Sequence, residues 1–380
     1  MFDSKNKRSN AETVLLSGSS LLDDAMSLQL SMLKIIACIA VLYIHSYTPQ
    51  YEFFRRLFDA MPGVRLAAEI ISIYLARIAV PTFFCVSGYV YFLKQYDIGV
   101  GSFAVRKGKS ILLPFLLWNT LAIGYMFVLQ QLPLVRGMFS PDKLIENFTV
   151  SQWVNAYIGI SNTWYPFLYP LWFLPYLFAA FMIVHICRKY FYRYEWLIWG
   201  LTILNLTCDM YVPLVFKLSN LRCLILLLQA VSFFTLAGLL IKYKKIVEDR
   251  IFLFVCGAFF ITTMLMALYC VTPQINWLMP SRYAGMIFLF GITGNIVKCS
   301  GKIQKPVLFL AEYSFLIYLT HEFALSALQS LVYPVLPLNS AVVLGVYILL
   351  PLGLSGMLIL GGWLLKKLLP KLYKFLFVFR

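Results

Sequence analysis

Imidazole is the side chain best placed to take a proton from a hydroxyl near neutral pH, and the 380-residue chain holds three. His45 ends the apolar run LKIIACIAVLYIHSY, eleven positions after Lys34. On a helix those two lie about 16 Å apart and on one side, because eleven residues is close to three turns. A cation there can hold an anion while the imidazole works deeper; equally, Lys34 can snorkel to one membrane face and His45 sit at the other. His321 falls in FLAEYSFLIYLTHEF, where Ser314, Tyr318 and His321 recur at helical spacing, with Glu312 and Glu322 nearby. That polar stripe must meet other polar groups inside the bundle. His185 stands beside Arg188 and Lys189 at the end of an apolar run and reads as interfacial.

Other polar residues are costly at membrane depth and so carry functional hypotheses. Arg77 lies in ARIAVPTFFCVSGYVYF, where Pro81 should free a backbone carbonyl. Its candidate anionic partners are Glu69, Glu52 and Asp59, as a structural brace, or a substrate. Ser87-Gly88 suits close helix packing or a ligand contact, packing being the simpler reading. Arg106, Lys107 and Lys109 precede SILLPFLLWN; they serve as an orientation signal or as a clamp for phosphate oxygens. A glycine-rich phosphate loop is absent, which disfavours a nucleoside-triphosphate machine. The eight Cys are scattered without C-x-x-C pairs or ligand-like spacing to His, so no disulfide and no metal site is expected.

The elements that must position these groups follow from composition. The chain is 61% hydrophobic and 13% charged, whereas a soluble domain runs near 45–50% and about 25%. Apolar stretches about 20 residues long recur throughout, each able to cross a hydrocarbon layer roughly 30 Å thick. The fold class is all-α: a polytopic transmembrane bundle of about ten helices, near 28–48, 70–93, 111–131, 171–187, 194–213, 222–241, 251–271, 283–297, 306–331 and 337–365. The excess of 32 Lys and Arg over 16 Asp and Glu would suit nucleic acid in a soluble protein. Here the basic residues cluster in alternate connections, the pattern of cytoplasmic loops; both termini are therefore expected in the cytoplasm, with no nucleic-acid partner. Residues 1–27 read as a polar tail without a cleavable signal, 28–370 as the membrane domain and 371–380 as a short basic tail. The longest connection, 132–170, is extracytoplasmic by this reading. Its Trp153, Tyr157, Trp164, Tyr165 and Tyr169 suit an interfacial belt, or stacking on sugar rings.

Five segments in order resemble the integral-membrane acyltransferase family 3 of O-acyltransferases: LKIIACIAVLYIHSY, RIAVPTFFCVSGYVYF, RKGKSILLPFLLWN, LWFLPYLFA and YSFLIYLTHEF. That family has an Arg, ten residues, then a His in its first span; here Lys34 and His45 stand at that spacing. It also has an R-x-x-R pair before the third span, matched here by Arg106 and Lys109. Lys keeps the charge at both departures but lacks the planar fork for bidentate phosphate recognition.

The resemblance implies an enzyme moving an acyl group, commonly acetyl, from cytoplasmic acyl-coenzyme A to a hydroxyl of a cell-envelope or exported glycan or glycolipid, in a bacterial inner membrane. Acyl-CoA is then a co-substrate, with no bound cofactor. Lys34, Arg106 and Lys109 would hold coenzyme A phosphates, and His45 would act as general base or transient acyl carrier. Arg77, Ser87, Tyr318 and His321 are the candidates for positioning substrate or stabilising an oxyanion. Some relatives carry an added soluble domain, which this sequence lacks, so the membrane part would deliver the acyl group itself. The alternatives are a transporter or flippase for a lipid-linked saccharide, and a sensor that binds without turnover.

Overall fold

A computed structural model of the chain describes residues 24–48, 52–136, 141–158, 166–211, 222–270, 275–299 and 303–378. Trp164 and Tyr165 of the long connection, and most of the expected N-terminal tail, lie outside these. Counting helices of eight residues or more, the order is α1 (Asp24–Ser46), α2 (Glu52–Asp59), α3 (Pro62–Lys94), α4 (Val100–Gln130), α5 (Val150–Tyr157), α6 (Tyr169–Ile186), α7 (Glu195–Met210), α8 (Arg222–Lys242), α9 (Arg250–Tyr269), α10 (Leu278–Cys299), α11 (Gln304–Glu312), α12 (Ser314–Val335), α13 (Ser340–Leu368) and α14 (Pro370–Phe377). No strand occurs among the described residues.

Eight of these helices, α1, α3, α4, α6, α8, α9, α12 and α13, are long and apolar enough to cross a membrane. The protein is an all-α, multi-pass membrane protein. The two remaining expected spans form helices that fall short of that measure: α7 is shorter, at 16 residues, and α10 is less apolar, carrying Arg282 and Lys298. The expected span 306–331 is broken at Tyr313 into α11 and α12. Glu312, on the α11 side of that break, pairs with Lys366 of α13. The expected basic tail at 371–380 is largely helix α14, docked by Trp118 Nε1 donating to the Leu376 carbonyl at 2.9 Å.

Burial separates centre from periphery. In α8, 61% of the membrane-length window is buried, against 22% in α9 and in α13; the exposed apolar faces of the latter two suit lipid contact. Helix α1 packs against α3, α10, α11, α12 and α13, and α3 lies closely along α8. Gly88 permits that approach, since a Cβ there would lie 2.0 Å from the Phe234 carbonyl oxygen. Gly88 of the Ser87-Gly88 pair is thus a packing element, as in small-residue helix contacts.

Helix α3 is irregular where it matters. Ile70–Leu75 is a π turn and Ala76–Ile78 a 3-10 turn, before α-helix resumes at Ala79. Such interruptions often mark functional positions. Pro81 falls in the first turn of the resumed helix, where an amide N–H is dispensable, and the Thr82 hydroxyl donates to the Ile78 carbonyl at 2.7 Å.

Candidate active site

Helices α1 and α12 are registered by two side-chain bonds to backbone. Cys38 Sγ donates to the Ser314 carbonyl at 3.3 Å, and buried Gln329 donates to the Ser46 carbonyl at 2.9 Å, satisfying an otherwise unpaired helix C-terminus. This register places the last turn of α1 against the middle of α12. There His45 Nδ1 lies 2.9 Å from Glu322 Oε2, and the His45 and His321 rings stand 5.0 Å apart, edge to face.

His321 is buried, and its Nδ1 faces the Tyr318 carbonyl at 2.8 Å and the Ile317 carbonyl at 3.1 Å. Carbonyls only accept, so Nδ1 carries the proton of the neutral ring and Nε2 keeps the lone pair. That Nε2 is buried without a hydrogen-bond partner among the described residues. For His45, the Glu322 carboxylate 2.9 Å from Nδ1 favours a proton on that nitrogen, which leaves Nε2 as the basic atom. A carboxylate behind an imidazole that takes up a proton is the arrangement that orients and stabilises a general base.

His45 and Glu322 open on a cavity of about 830 Å³, within the size range of small-molecule sites. Its wall includes Tyr169 and Trp172 of α6, Tyr318 of α12, Arg77 of α3, Asp209 of α7, Gln229 of α8 and Arg282 of α10. Tyr169 was expected in an interfacial belt or against a sugar; it lies beside His45, ring centroids 6.2 Å apart. Its position is set in two steps. Asn119, buried in α4, donates to the Ala156 carbonyl at 2.9 Å and accepts from the Leu168 amide at 2.9 Å, fixing the end of the 132–170 connection. Tyr318 then donates to the Pro170 carbonyl at 2.6 Å. Tyr318→Phe removes that hydrogen bond, a loss of about 0.5–1.5 kcal/mol; the expected outcome is a melting temperature a few degrees lower in detergent, with transfer reduced several-fold.

The expected site residues thus divide. His45, Arg77 and Tyr318 line one cavity, with His321 packed behind His45. Ser87 is not among its lining residues. The carboxylates proposed as partners of Arg77 are engaged by other arginines: Glu69 and Asp59 by Arg65, at 2.9 and 2.6 Å, and Glu52 by Arg56. Lys34, Arg106 and Lys109 lie outside the cavity. Lys34 is within electrostatic reach of Lys94, which in turn reaches Lys107 beside Arg106. Arg106 stands over the Tyr96 ring at 5.4 Å, and Lys107 over Phe181 at 3.8 Å. Lys109 is exposed. The basic group is therefore a cluster of Lys34, Lys94, Arg106 and Lys107, remote in the chain fold from the last turn of α1.

His185, read as interfacial, is buried. It stacks on Phe103 at 3.9 Å and bonds Tyr91 at 3.1 Å and the Ile98 carbonyl at 3.0 Å, tying α6 to the turn between α3 and α4. Its role is to brace that turn.

Donor atoms of His45, His321 and Glu322 lie within 4.8 Å of one another, a set that the sequence spacing did not suggest as metal-binding. Two imidazoles and a carboxylate also occur in catalytic zinc sites. Metal–ligand bonds of about 2.0–2.2 Å would require this set to contract, and would displace the proton that the 2.9 Å contact between His45 Nδ1 and Glu322 accommodates.

Against known proteins, the model of the acyltransferase family 3, described as "Acyltransferase domain", matches residues 28–365. The chain belongs to this family. Among curated proteins, it is 25% identical over 195 residues to the succinoglycan biosynthesis protein ExoH of Rhizobium meliloti, a match covering 51% of this chain and 50% of that protein. The matched segment therefore spans about half the length of that relative. No solved structure matches. In this family member, the paired His45 and Glu322 border a cavity of substrate size.

Proposed function

We propose that this family member transfers an acyl group from acyl-coenzyme A to a hydroxyl of a cell-envelope or exported polysaccharide, with the acetyl group as the first candidate. The observation that carries the reading is His45, its Nδ1 2.9 Å from Glu322, at the wall of an 830 Å³ cavity. A polysaccharide acceptor is supported by the relative whose name places it in succinoglycan biosynthesis. The setting is a bacterial inner membrane, with both chain termini in the cytoplasm and the cavity toward the outer side, as the distribution of basic residues favours.

In this reading the acceptor hydroxyl lies against His45 Nε2 and the acyl carbonyl beside it. His45 takes the hydroxyl proton as the oxygen attacks the thioester carbon. Glu322, accepting from Nδ1, stabilises the imidazolium. The tetrahedral adduct collapses with loss of the coenzyme A thiolate, which takes the proton from Nε2; the products are the O-acyl ester and free coenzyme A. In the carrier variant His45 holds the acyl group between two such transfers. Lys34, Arg106 and Lys107, with exposed Lys109, supply cations for the phosphates of the donor at the other end of the bundle.

Glu322→Gln tests the pairing. The amide preserves shape but turns one oxygen into a donor, favouring the wrong tautomer of His45, so kcat should fall by roughly 10²-fold or more with little change in KM. The reading as a whole is tested by incubating membranes that carry the protein, or lack it, with acyl-labelled acetyl-CoA and following label into envelope glycan. Label that depends on the protein supports acyl transfer. Saccharide movement with no need for acyl-CoA would instead identify a transporter.

A further inference from the structure

The reaction above uses residues of α1 and α12, while the rest of the cavity wall has two chemically different parts. One is aromatic. Tyr169 and Trp172, both in the 3-10 turn that opens α6, line the cavity; Tyr169 is 44% exposed and stands beside His45, ring centroids 6.2 Å apart. The other is polar and is built by α7 and the start of α10, which contribute Asp209 and Arg282. The Asn276 amide donates to the Met210 carbonyl at 2.7 Å, which brings the approach to α10 against the end of α7. Tyr283, next to Arg282, accepts from Asn205 of α7 at 2.7 Å and bonds Ser232 of α8 at 2.6 Å, all three side chains being buried. Asn205 is one turn before Asp209, so one network positions the carboxylate and the guanidinium together. Gly285, three residues after Arg282, lets α3 approach the same wall with Arg77, since a Cβ there would lie 2.8 Å from Ile78 Cγ2.

Arg282 lies within electrostatic reach of Asp209. Even so, the protein does not satisfy either group: Arg282 Nε and Asp209 Oδ2 are both buried without a hydrogen-bond partner among the described residues. Buried polar atoms are nearly always paired. A guanidinium only donates and a carboxylate only accepts, and a hydroxyl is the group that can serve both. The charges on the wall also balance, Arg77 and Arg282 against Asp209 and Glu322, so an uncharged ligand leaves none of them in surplus. Aromatic rings present a negative π face, against which the C–H bonds of a sugar ring pack. Ligand cavities commonly combine such rings with a few placed polar groups.

We infer that Tyr169, Trp172, Asp209 and Arg282 form a subsite for an uncharged sugar of the acceptor, a reading that rests on the acyl transfer proposed at His45. The C–H face of the pyranose lies against the aromatic rings, and its free hydroxyls donate to Asp209 and accept from Arg282. Because Tyr169 adjoins His45, the sugar held there presents a further hydroxyl to the imidazole. The acceptor class is therefore narrowed from any glycan to one whose reacting sugar is neutral and keeps hydroxyls free besides the one acylated.

The test is binding, which needs no turnover. Full-length protein in detergent is titrated with methyl glucoside against methyl glucuronide, with methyl galactoside against methyl galacturonide, and separately with acetyl-CoA. Wild type is expected to bind the neutral member of at least one pair, more tightly than its acidic member by roughly tenfold or more, since an added carboxylate finds no free cation. Tyr169→Phe should keep that affinity and Tyr169→Ala weaken it by roughly five- to tenfold. Asp209→Asn should weaken it by roughly tenfold or more. All three variants should bind acetyl-CoA as wild type does, because the donor phosphates are assigned to the basic cluster, and this binding also reports an intact fold. Tyr169 is exposed to the cavity, so its variants report even if Asp209→Asn is poorly folded. Failure of wild type to bind either neutral glycoside, equal binding of neutral and acidic members, or an affinity that survives both Tyr169→Ala and Asp209→Asn overturns the subsite. Sugar binding that is lost in these variants, in a wild type that performs no acyl transfer, would overturn the proposed reaction and keep the subsite.

Discussion

His45→Ala is expected to lower acyl transfer by about 10²–10⁴-fold, the usual contribution of a positioned general base, while the protein stays folded and in the membrane. The expectation of an intact fold comes from where His45 sits. It borders the cavity, whereas α1 is anchored by buried Leu33, Leu42 and Cys38 and by the bonds to Ser314 and Gln329. Alanine is compatible with the last turn of a helix and removes no packing contact of those residues. The loss should fall on kcat, because donor phosphates are assigned to cations elsewhere in the bundle. If His45 is an acyl carrier rather than a base, the same substitution removes transfer and also removes any labelled acyl-protein trapped in the absence of acceptor.

Gly88→Ala is expected to destabilise the bundle by about 1–3 kcal/mol, the range for overpacking a core. The added methyl would stand 2.0 Å from the Phe234 carbonyl oxygen, a backbone atom that cannot rotate away. Helices α3 and α8 must separate, and with them the aromatic core around Phe84, Phe233 and Phe234, all fully buried. Gly124 in α4 has nothing within 4 Å of the equivalent position, so Gly124→Ala serves as the control and should melt at or slightly above wild type. The check is a melting temperature and the monodisperse fraction of detergent-solubilised protein. Equal behaviour of the two variants would remove Gly88 from the account of helix packing.

The helical architecture was legible because hydrocarbon thickness and the absence of water leave few choices for a chain this apolar. Boundaries near irregular backbone were not. Tyr313 breaks an apolar run that carries no Pro or Gly after Pro306, and the π turns of α3 and α4 leave no periodic trace. His45 stood out as an imidazole in an apolar helix, whereas its partner did not. Glu322 adjoins His321 in sequence, but its contact to His45 comes from the register of α1 on α12, set by Cys38 and Gln329, which look ordinary in one dimension. Asp209 is a different case. It falls inside the expected span 194–213, so the rule that marked Arg77 as costly at membrane depth applies equally to it. Arg282 falls one residue before the expected span 283–297, so the same rule did not reach it; tertiary packing at Gly285 places it beside Arg77. Conversely, the spacing of Lys34 and His45 correctly put both on one helix, while the fold gives them to separate regions, the basic cluster and the cavity.

We propose that the cavity at His45 joins an acyl group from coenzyme A to a glycan hydroxyl. The most direct measurement reconstitutes purified wild type or His45→Ala into proteoliposomes at matched protein, supplies acyl-labelled acetyl-CoA and envelope polysaccharide, and recovers base-labile label on the polysaccharide. Ester label is expected with wild type, with a loss of at least roughly 10²-fold with His45→Ala. Equal ester label from the two proteins would rule out transfer through His45.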